Sequence, residues 1–123
     1  MILVFGGAYQ GKTGYAAEEF GLSTVCDLSE GGEPDFTKEI ITGLDAFASR
    51  LSAAGEDPAE YFGSRRGLWD DKVLVITDTT QGVVPVDSDV RAAREACGRL
   101  MIYLADEAEQ VHRVFCGIGK RIK

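Results

Sequence analysis

The hydrophobic positions of this chain fall into short unbroken runs that alternate with longer stretches of helical period. Residues 2–5 form the first run, apolar throughout and ended by Gly6 and Gly7, which predicts a strand buried on both faces. Residues 12–20 set Ala16, Ala17 and Phe20 against Glu18 and Glu19, a helix stopped by Gly21. Residues 23–28 predict a second strand, and residues 29–35, with Gly31, Gly32 and Pro34, a loop. Ile40, Ile41, Leu44, Phe47, Ala48 and Leu51 recur at steps of three and four, predicting an amphipathic helix that ends near Gly55. Asp57 and Pro58 then read as the N-cap and first residue of a short helix.

The second half repeats this grammar. Residues 73–77 are a β-branched run that predicts a strand, followed by a turn through Gly82 and Pro85. Ser88 reads as the cap of a helix over residues 90–108, with Asp89 well placed in its first turn. Residues 111–116 predict a last core strand, and residues 117–123 a terminal hairpin or edge strand. Strands that alternate with helices predict an α/β fold with a mainly parallel central sheet flanked by helices, and the match of Gly6 to Thr13 to G-x-x-x-x-G-K-[ST] after the first strand makes it P-loop NTPase-like. With 123 residues, 45% of them hydrophobic, the chain can close one core, so a single domain over 1–123 is expected.

Composition narrows the partners. A net charge of −7 argues against a nucleic-acid partner, because phosphate backbones are held by clustered Lys and Arg. The apolar run at residues 1–5 is too short for a signal peptide or a membrane span, and a cytoplasmic protein without membrane contact is expected. Cys26, Cys97 and Cys116 lack paired short spacings and read as buried reduced thiols. Trp69, behind Arg65 and Arg66, reads as a half-buried anchor for the short helix rather than a stacking platform.

The chemistry lies in Gly6-Gly7-Ala8-Tyr9-Gln10-Gly11-Lys12-Thr13, which matches G-x-x-x-x-G-K-[ST] between a predicted strand and a predicted helix. Glycines let such a loop curl so that successive N–H groups face phosphate oxygens, and the helix start adds positive potential. Lys12 is the catalytic candidate, reaching the β and γ phosphates of ATP or GTP. Thr13 would offer its hydroxyl to Mg²⁺. An acid at the end of a neighbouring strand completes such a site, and Asp78 is best placed, with Asp27 the runner-up. Asp70 and Asp71 precede their strand and fall at the wrong end of a parallel sheet. Tyr9 and Gln10 occupy variable positions of the loop, brushing the nucleotide or facing solvent.

Both ends of the chain resemble the adenosylcobinamide kinase / adenosylcobinamide-phosphate guanylyltransferase family of cobalamin biosynthesis. That family runs a first strand into G-G-A-x-x-G-K-[ST], here Gly6 to Thr13, and later carries N-E-V-G-x-G-I-V-P. Here Thr77-Asp78-Thr79-Thr80-Gln81-Gly82-Val83-Val84-Pro85 keeps the G-[IV]-V-P end and sets an acid in place of the glutamate. The segment with Arg91, Arg94 and Arg99, and Cys116-Gly117-Ile118-Gly119, are also similar. The resemblance covers roughly residues 1–28 and 72–123. It implies a homotrimer and a nucleotide-dependent kinase acting on the aminopropanol hydroxyl of adenosylcobinamide. The family's H-R-x-x-R-P-x-x-W stretch, whose histidine accepts the guanylyl group, and its V-D-C-L-T-type strand have no counterpart in residues 29–71. The guanylyltransferase activity therefore lacks its acceptor, and His112, the one histidine, reads as an edge or surface residue. Two other readings stay open: a degenerate nucleotide- and corrinoid-binding protein without turnover, and a small-metabolite P-loop kinase unrelated to cobalamin.

Overall fold

The computed structural model describes residues 1–79 and 86–123. Six strands form one sheet in the order β2-β3-β4-β1-β5-β6. These are β1 (Ile2–Gly6), β2 (Val25–Asp27), β3 (Ile40–Thr42), β4 (Val73–Thr77), β5 (Gln110–Phe115) and β6 (Ile118–Arg121). The first five pair in parallel, and β6 turns back antiparallel on β5. The helices are α1 (Lys12–Phe20), α2 (Leu44–Ala53), α3 (Pro58–Gly63), α4 (Arg66–Trp69) and α5 (Ser88–Glu107). The α/β class and the mainly parallel, helix-flanked sheet agree with the hydrophobic pattern.

Successive strand residues supply opposite faces of the sheet, which is why the central strands read as continuous apolar runs. Leu3, Ile41, Leu74, Ile76 and Val111 enter one core with Phe47, Phe62, Trp69, Leu100 and Leu104 of the helices α2 to α5. Val4, Ile40, Val73, Val75 and Val114 enter the other, covered by Ala16, Tyr15 and Phe20 of α1. The sheet is thus the middle of three layers.

Three local expectations need correction. Ile40 and Ile41 belong to β3, not to the helix; both are fully buried, on opposite faces. Gly43, at φ 77°, separates β3 from α2. A side chain there would lie 2.6 Å from Ser29 N, so strand, turn and helix fit only around a glycine. The cap of α5 is Asp87, whose carboxylate accepts from Asp89 N and Val90 N. Ser88 is the first helical residue instead. Trp69 is completely buried, because its Nε1 donates to Phe62 O at 2.8 Å and leaves no polar group to keep wet. Arg66 covers its ring at 4.4 Å, anchoring the short α4. The predicted turn through Gly82 and Pro85 lies outside the described residues. Among those described, no helix is long and apolar enough to cross a membrane.

Candidate functional site

Parallel strands bring their C-terminal ends to one edge of the sheet, and the chemistry-bearing residues gather there. Register pairs Asp27 with Thr42 and Gly6 with Thr77. From β1 the chain enters the glycine-rich loop, in which Tyr9 takes a left-handed conformation at φ 59°. α1 then opens at Lys12 with Gly11 as N-cap; it has neither a side-chain cap nor an acid in its first turn. That leaves its positive end facing the loop.

A cleft of about 470 Å³ runs along this edge, lined by loop residues Tyr9 to Thr13 and by Val25, Asp27, Ser29, Thr42, Asp45 and Thr77. Lys12 is only 9% exposed, and its Nζ donates to Gly7 O at 2.7 Å, folding the side chain back along the loop. Burial pushes its ammonium below the usual lysine range, and the nearby Asp45 carboxylate opposes that shift. Thr13 Oγ1 and Thr42 Oγ1 lie 3.1 Å apart.

Asp27 is ionised at neutral pH, its pKa lowered by the N–H and hydroxyl of Ser29; the Ser29 N–H donates to Oδ1 at 2.9 Å. Arg50 braces the connection that follows β2, donating to Leu28 O at 2.9 Å and Gly32 O at 3.0 Å. Asp78 stands just beyond β4, half-buried, and its N–H donates to Gly6 O at 2.8 Å.

Asp45 is the residue that sequence reasoning missed. It sits in the first turn of α2 and lines the cleft, with Oδ1 accepting from Thr77 N at 3.1 Å. Reading residues 40–51 as one helix hid it. Taken as a buried strand that Gly43 ends, Ile40-Ile41-Thr42 sets an acid at the second position of the next helix, at the sheet's C-terminal edge. Gln10, expected to brush the nucleotide or face solvent, instead bonds the turn after β5 through both its backbone and its side chain.

Two other expectations change. Cys116 is exposed, Cys26 half-buried, and only Cys97 is fully buried, because Cys116 occupies a tight turn beyond the core. His112 is 5% exposed rather than a surface residue, since the Tyr15 and Phe20 rings of α1 pack over its imidazole and β6 pairs with the edge of β5. Its Nδ1 lies 2.8 Å from Tyr15 Oη and its Nε2 2.9 Å from Gln110 Oε1.

The arrangement joins a buried lysine and a helix start without a side-chain cap on one wall to hydroxyls and carboxylates on the other. Such a cleft can take an anion and a hard cation side by side. No protein-family model matches this chain, and no curated protein matches it.

Proposed function

We propose that this chain is a P-loop protein that binds a magnesium–nucleoside triphosphate, ATP or GTP, and transfers its γ-phosphoryl group to a hydroxyl acceptor. One observation carries the reading: Lys12, buried and hooked back to Gly7 O, lies at an uncapped helix start beside Thr13 in a cleft walled by acids. A G-x-x-x-x-G-K-[ST] loop between a strand and a helix at the C-terminal edge of a parallel sheet is the context that such a motif requires.

On that reading Lys12 exchanges its bond to Gly7 O for phosphate oxygens, and the loop amides and α1 stabilise charge on the transferred group. The oxygen donors of Thr13, Asp27 and Asp45 suit Mg²⁺, and Asp78 is a further acid at the end of β4. When bound, the ion neutralises phosphate charge and orients the triphosphate. Positioning of the acceptor hydroxyl in line then supplies most of the remaining catalysis.

Adenosylcobinamide as the acceptor rests on the resemblance of the two chain ends. Titration calorimetry with Mg-ATP and Mg-GTP tests the first step, and transfer of label from γ-labelled nucleotide to adenosylcobinamide tests the second. Binding is expected to fall at least about tenfold in Lys12→Ala, which removes a charge-assisted contact. An unmodified protein that binds neither nucleotide refutes the proposal.

A further inference from the structure

The glycine-rich loop is held on the side away from the acids by the C-terminal hairpin. Gln10 O accepts from Gly117 N at 2.8 Å, and Gln10 Oε1 accepts from Cys116 N at 2.6 Å. The turn lies so close that a Cβ on Gly11 would be 3.4 Å from Gly117 Cα. The same hairpin is tied to α1, where the Tyr15 ring covers Gly119 and leaves no room for a side chain there. Next to Gln10, Tyr9 is held in a left-handed conformation that L residues adopt at a cost. The loop therefore keeps a shape that its own residues do not prefer, and the contacts that fix it come from more than a hundred residues away in sequence.

We propose that Gln10 is a positioning residue: through it the β5–β6 turn holds the loop in the conformation that receives the phosphate chain of the nucleotide. The inference rests on the nucleotide-binding reading above. Linkage then requires that nucleotide binding and the latch stabilise each other.

The test uses the full chain, with amide hydrogen exchange followed by NMR and affinity by calorimetry, with Mg-ATP and Mg-GTP as probes. Gln10→Met keeps the length of the side chain and removes the acceptor. It is expected to speed exchange of the Cys116 amide and to weaken nucleotide binding about five- to tenfold, the scale of one lost hydrogen bond, with little change in melting temperature. A lower melting temperature with unchanged affinity marks a merely structural contact and overturns the inference. A second measurement needs no variant: saturating nucleotide should slow exchange of the Cys116 and Gly117 amides in the unmodified protein. Binding that leaves both amides unmoved overturns the latch alone. Absence of binding overturns the nucleotide reading together with it, and the first titration tells the two failures apart.

Discussion

At the scale of single residues, His112 shows how a fold takes a side chain out of circulation. Burial, reinforced by Arg121 and opposed by Glu19, lowers its pKa from the ordinary 6.5, so the folded state prefers the neutral ring. With Gln110 Oε1 accepting from Nε2–H, Nδ1 accepts from the Tyr15 hydroxyl. The unfolded chain binds the proton more readily, so the contribution to stability is fully present above pH 6.5 and is lost as pH falls from there toward the folded pKa. Urea midpoints measured between pH 7.5 and 5 should fall in the unmodified protein and flatten in His112→Asn; parallel curves would refute the assignment. Asp27, Asp35 and Glu39 have lowered values, so their contributions are present at higher pH and are lost in a separate window below about pH 5. The same burial bears on guanylyl transfer. A histidine bonded at both nitrogens is a poor in-line nucleophile, so α-labelled GTP should leave no acid-labile label on the protein. A stoichiometric label lost in His112→Asn would refute that prediction.

Among the elements, the hairpin of β5 and β6 shows local chemistry at work. Cys116 and Gly117 link the paired Phe115 and Ile118 at φ 51° and φ 75°, the two positive values of a type I′ turn. Asparagine and glycine suit these positions best, so Cys116→Asn should stabilise the domain by roughly 0.5–1 kcal/mol. A denaturant midpoint that falls would count against the turn assignment. α5 makes the opposite point, since Ala96, Cys97, Leu100 and Leu104 are all buried against the sheet and its neighbouring helices. Leu100→Asp would bury an unpaired charge and should cost about 4 kcal/mol or more. An unchanged melting temperature would refute this packing.

Over the whole molecule, the sheet order assembles the cleft from four separate stretches: the loop after β1, the end of β2, the end of β3 with the start of α2, and the end of β4. Several acids thereby stand near one lysine, and their roles can be separated. If Asp45 supports the metal and the lysine, Asp45→Asn should reduce nucleotide-dependent turnover at least about tenfold, and more than Asp27→Asn or Asp78→Asn. A larger loss in Asp78→Asn would return that role to the residue the motif nominated. Much of this plan was legible in the chain. Continuous β-branched runs announce doubly buried strands, and the glycine-rich loop announces its own turn, because both signals are local and need only neighbouring residues to act. The reading of residues 40–51 failed because a two-residue strand core followed by a helix can imitate one helical period; only pairing with β2 and β4 separates them. Asp45, the burial of His112 and the grip of Cys116 and Gly117 on Gln10 were illegible for the same reason. The sequence by itself determined most strands of the parallel sheet, β3 excepted, and where an anion-binding loop could form. Which acids face Lys12, and what holds the loop, only tertiary structure decided, because those contacts join residues from 30 to more than a hundred positions apart.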